Sequence, residues 1–139
     1  MNKRAFEQKL RQWAANLGLG DKTPGFNESA AVASAVGQNV FWGHADAWSA
    51  MEALRFSART DDLWGGPLGE LWHHFVQERL RIIGHISERG LNAGAFRHPR
   101  HATNALAKLR RTGSPGSDLV DAWQEEVERR IADSARQSA

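Results

Sequence analysis

Cysteine and tyrosine are both absent from the 139 residues. Without thiols the chain has no disulfide, no thiolate metal site and no cysteine nucleophile, and a reducing cytoplasm suits it. No run approaches the ~18 apolar residues of a membrane-spanning helix. The opening MNKRAFEQKLRQW is charged from residue 3 and lacks an apolar h-region, so no secretory signal is expected. Sustained two-residue alternation is missing and β-branched residues are sparse, which argues against strands. No repeat or low-complexity tract is visible. Net charge is only +2 and names no partner by itself. These absences point to a single cytoplasmic domain from a prokaryotic or phage setting, with no membrane partner.

Apolar residues recur at helical spacing throughout. The stretch from Pro67 to Arg89 carries Leu68, Leu71, Trp72, Phe75, Val76, Ile82, Ile83 and Ile86 on one broad face, with Pro67 suited to a first turn and Gly90 to the stop. Phe6, Leu10, Trp13 and Leu17 give a first helix over residues 3–17. Asn27 caps a stripe of Val32, Val36, Val40, Ala47, Met51 and Leu54 that runs to about residue 59 as one kinked helix or two shorter ones. Residues 60–67 and 90–101 read as connections. Residues 101–112 give a short helix, and 113–117 a linker. Ser117 then caps a last helix with a Leu119, Val120, Trp123, Val127 and Ile131 stripe, fraying over 134–139. The fold class is all-α: an irregular bundle of five to six helices in one domain, 1–139.

Charge is unevenly placed. Arg89, Arg97, Arg100, Lys108, Arg110 and Arg111 fall in a segment, up to Ser117, with no acid at all, whereas the last helix is rich in Asp and Glu. On a helix over 101–112, Arg100, Asn104, Lys108 and Arg111 line one strip opposite Ala102, Ala105, Leu106 and Leu109. Cations on a rigid strip meet successive phosphates and release counterions, giving affinity without sequence reading. Lys3, Arg4, Arg97, Arg100, Lys108, Arg110 and Arg111 are therefore the candidate nucleic-acid contacts, provided the final helix does not neutralise them. Trp64 and the ridge of His74, Glu78, Arg81 and His85 are candidate contacts for protein subunits. Glu70 and His73 are spaced ExxH, but a di-metal site needs inward-facing ligands from several helices; no metal or cofactor is expected.

RLRIIGH, Arg79 to His85, resembles the Arg-spacer-His motif of the HEPN ribonucleases, small helical domains that cleave RNA between paired protomers. The spacer length fits, while Leu80 stands where a polar residue usually follows the Arg. The resemblance implies a ribonuclease using Arg79 and His85, though a straight helix points them about 120° apart. The alternative is a buried Arg79 paired with an acid such as Asp46, Glu52 or Asp121. In size and patchy charge the chain also looks like the small helical subunits of CRISPR effector complexes and like phage or plasmid accessory proteins. The expected function is non-catalytic binding of a nucleic-acid backbone as a small subunit of a larger assembly. A protein-binding adaptor or inhibitor and a HEPN-like ribonuclease are the alternatives.

Overall fold

The computed structural model describes Gln8 and residues 27–58, 67–114 and 116–138. The helix expected over residues 3–17, with Lys3 and Arg4, lies outside the described residues apart from Gln8, as does Trp64. Five helices follow in order, with no strand among the described residues: α1 Glu28–Gly37, α2 His44–Ala58, α3 Pro67–Asn92, α4 Pro99–Thr112 and α5 Leu119–Ser138.

The stripe after Asn27 is two helices. Asn27 Oδ1 accepts from the Ala30 amide at 3.1 Å. Asn39, at φ 62°, ends α1 in the left-handed region where Asn is tolerated. The Val40 and Asn39 amides then return to the Ala35 and Val36 carbonyls at 3.1 Å each, the paired bonds of a Schellman stop. The stop of α3 is built likewise, and it is not at Gly90. Gly94 has φ 81°, and the Ala95 and Gly94 amides reach the Gly90 and Leu91 carbonyls at 2.8 and 3.1 Å. Gly90 serves packing: a Cβ there would stand 2.7 Å from the Phe96 ring and 3.1 Å from Val127.

Helix α3 is the spine of two cores. Its first half presents Leu68, Leu71, Trp72, Phe75 and Val76 to Val32, Ala35, Val40, Phe41, Ala47, Met51 and Leu54 of the α1–α2 unit. There Phe41, Trp72 and Phe75 stack mutually at 5.4–5.7 Å, geometry that adds to simple area burial. Its second half presents Ile83, with Ile82 and Ile86 beside it, to Phe96, Ala102, Leu106, Leu119, Val120, Trp123 and Val127. Trp123 is fully buried, and its indole N–H donates to Ser87 Oγ at 3.1 Å.

Arg79 sits where the two cores meet and is 6% exposed. Its guanidinium lies over Phe41 and Phe75 at 5.1 and 5.6 Å and donates to Asp118 at 3.1 and 3.4 Å and to the Val40 carbonyl at 3.4 Å. Arg79 is thus buried and paired with an acid, as expected, and an acid it pairs with is Asp118, where Asp46, Glu52 and Asp121 were the examples considered. Asp118, not Ser117, also caps α5: its Oδ1 accepts from the Val120 amide at 2.8 Å. One carboxylate therefore starts α5 and neutralises the buried cation of α3. Burial works to raise its pKa, but the Arg79 charge and hydrogen bond, with the α5 amides, hold it below the ordinary Asp value.

Two boundaries move outward from the sequence reading. Helix α4 begins at Pro99, with His98 as N-cap accepting the Arg100 amide at 3.0 Å; Pro suits a first turn, where no N–H is needed. Helix α5 continues to Ser138 instead of fraying from residue 134. Ser134 Oγ donates to the Gly94 carbonyl at 3.3 Å, and Arg136 pairs with Asp133 at 2.5 Å. Gly113, after α4, is extended and not left-handed. It is needed because the Trp42 ring occupies the space a Cβ would fill.

Candidate nucleic-acid interface

The apolar side of α4, Ala102 and Leu106 with Ala105 and Leu109 beside them, packs into the second core. At 100° per residue this turns Arg100, Asn104, Lys108 and Arg111 outward, and all four are exposed. Arg100 and Arg111 are separated by about 16 Å along the axis at 1.5 Å per residue. Arg97, in the turn before the helix, is exposed too, as are His98 and His101.

Arg110 leaves the strip. It is half-buried and donates to the Val36 carbonyl at the end of α1. A cation is favourable there, against the negative pole of a helix. Arg110 lies a quarter-turn from Arg100 on the side away from Lys108 and faces its own protein, apart from the other cations of the strip.

Three carboxylates of α5 are engaged away from α4, while Asp121 and Glu125 are exposed and form no ion pair among the described residues. Glu126 takes Arg129 and Arg130 of its own helix at 2.5 and 2.8 Å, and Asp133 takes Arg129 at 3.1 Å. Glu128 holds Arg89 of α3, with one bond at 3.2 Å. Burial tends to raise the Glu126 carboxyl, yet its bonds to Arg129 and Arg130 bring it below the ordinary Glu value. Arg55 pairs with Glu28 at 3.0 Å and Arg81 with Glu78 at 2.7 Å. Every described arginine except Arg97, Arg100 and Arg111 thus has a carboxylate or, for Arg110, a carbonyl. Those three and Lys108 have no ion pair among the described residues, and they share one region of the surface.

The ridge of α3 is less uniform. His74 and His85 are exposed, while Glu78 and Arg81 are engaged with each other. The His73 and His74 rings meet edge to face at 6.1 Å. No group of three or more His, Asp or Glu among the described residues is placed to hold a metal ion. Arg79 and His85 are not brought together: Arg79 is enclosed between the cores, and His85 lines a shallow groove with Glu88, Arg89, Asn92 and Ala93. No described helix is long and apolar enough to cross a membrane.

Sequence reasoning missed a second feature beside the strip. An open groove of about 480 Å³ lies between the α3–α4 turn and the last turns of α5, lined by Gly94, Ala95, Arg97, Arg129, Arg130, Asp133, Ser134 and Gln137. The helical spacing of Arg130, Ser134 and Gln137 places them along one side of α5. Nothing in that spacing says that the Gly94 turn lies opposite. No protein-family model matches the chain, and no curated protein or solved structure matches it.

Proposed function

We propose that the protein binds the sugar-phosphate backbone of a nucleic acid along α4, through Arg97, Arg100, Lys108 and Arg111, as a small subunit or accessory factor of a nucleoprotein assembly. The observation that carries this reading is selective: these are the four described cations with neither a carboxylate nor a carbonyl partner, whereas each other described arginine has one. A guanidinium held by a carboxylate gains little from a phosphate, whereas a solvated one exchanges only water and counterions. Contacts of this kind position a strand and do not read its bases. The ridge of His74, Glu78, Arg81 and His85 on α3 is the proposed contact for a protein subunit.

The test is anisotropy of labelled DNA and RNA with the wild type and the Arg100→Glu/Lys108→Glu/Arg111→Glu variant. Reversing three contacts removes binding at moderate salt and leaves the fold intact, because none of the three side chains packs inside. Arg110→Ala is the contrasting control: it lowers thermal stability by freeing the Val36 carbonyl and leaves affinity within about twofold. Equal binding by wild type and the reversed variant, or no binding by either, contradicts the assignment.

A further inference from the structure

The groove beside the strip extends the proposed function and rests on it. One wall is partly fixed in advance. Arg129 is held by Glu126 at 2.5 Å and Asp133 at 3.1 Å, and Arg130 by Glu126 at 2.8 Å with its guanidinium over Phe96 at 5.3 Å. The Ser134–Gly94 hydrogen bond ties α5 to the opposite wall. Side chains already held in place add less ordering cost when a ligand enters. The groove is open to solvent on one side and leaves about 480 Å³ between its walls.

The lining is mixed in character. Asp133 works against a bare phosphate, since like charges repel. Asp133 and Gln137 instead accept from ring N–H, exocyclic amine or sugar hydroxyl groups, while Arg97 and Gln137 donate. Guanidinium planes are surfaces on which unstacked bases lie. Arg97 belongs to this lining and also to the set of unpaired cations, three residues ahead of Arg100. Arg97 therefore joins the groove to the N-terminal end of the α4 strip. A base inside a duplex cannot enter, because its faces are stacked and its edge is paired.

We infer that the groove seats the base and sugar of one unpaired nucleotide, which makes the ligand of the α4 strip a single strand. The test uses an oligothymidylate of roughly twenty nucleotides, an abasic strand of equal length and a duplex of equal length. The wild type binds the oligothymidylate about ten-fold more tightly than the abasic strand, the scale of one stacked base. Ser134→Leu fills the groove, erases that preference and leaves the salt dependence unchanged. Gln137→Leu, on the same wall, carries the same expectation should Ser134→Leu lose its helical circular dichroism. Salt-dependent binding with equal affinity for thymidylate and abasic strands overturns the groove and spares the strip. A base preference that persists in both folded variants also overturns it. Absence of salt-dependent binding to all three probes overturns the strip itself.

Discussion

Replacing Asp118 separates its two structural roles. Removing one partner of a fully buried ion pair costs about 3–5 kcal/mol. The Asp118 side chain is 32% exposed, so water still reaches the pair and screens it, and the expected cost of Asp118→Asn falls to about 2 kcal/mol. Asn caps a helix about as well as Asp, so this variant reports the lost charge alone. Asp118→Ala also loses the cap, a further ~1 kcal/mol, for a total of about 3 kcal/mol. At roughly 4 °C per kcal/mol in a chain of this size, thermal midpoints drop by about 8 and 12 °C. Arg79→Met replaces the buried guanidinium with an unbranched apolar chain between Phe41 and Phe75, and its cost is about 1 kcal/mol or less. On the Arg79→Met background, Asp118→Asn then costs almost nothing, a coupling that a double-mutant cycle reads directly. Thermal denaturation followed by circular dichroism supplies all the values. If Asp118→Asn is neutral on the wild type, or equally costly with and without Arg79, the joint between the two cores does not work as described.

Two glycine substitutions have opposite expected signs. Gly84 is exposed in mid-α3, with nothing within 4 Å of the place a methyl group would take, so Gly84→Ala stabilises by about 1 kcal/mol. Gly113→Ala drives a methyl into the buried Trp42 ring and destabilises by about 1–3 kcal/mol; urea midpoints moving the same way in both contradict this. The acid response has a definite sign. Burial holds the Asp46 carboxyl above its ordinary value despite the Trp42 amide and Arg79, so its ionisation opposes folding and protonation relieves that as pH falls from neutrality. Asp118 is lowered, so its contribution is complete above the unfolded value near 4 and is lost as pH falls below that, through the folded value. The thermal midpoint therefore holds or rises slightly from pH 7 toward about 4, then falls. Asp46→Asn raises the midpoint at about pH 7, and Asp118→Asn flattens the acid limb; an unchanged midpoint in the first or an unchanged limb in the second contradicts these assignments.

The buried face of α3 and the stripes of α4 and α5 were legible because a helical period of about 3.6 residues survives whatever the helix packs against. Helix ends were less so. Gly90 and Gly94 are both credible stops, and only the chain path decides which takes positive φ and which receives Phe96. That Arg79 needed an acid was readable from its position in an apolar face. That the acid is Asp118, 39 residues on, follows from how α3 and α5 cross, which no local pattern carries. The outward strip of α4 was legible from its angles, and the same angles separate Arg110 from it. The groove lies between two elements far apart in sequence and had no local signature.

The most direct measurement of the central claim is the slope of log affinity against log salt concentration for a single-stranded oligonucleotide. Four phosphate contacts predict a slope of about −3, and each Glu substitution at Arg100, Lys108 or Arg111 makes it shallower by at least about 0.7. A slope near zero, or a steep slope that the three substitutions leave untouched, contradicts the assignment of α4 as the phosphate-binding face.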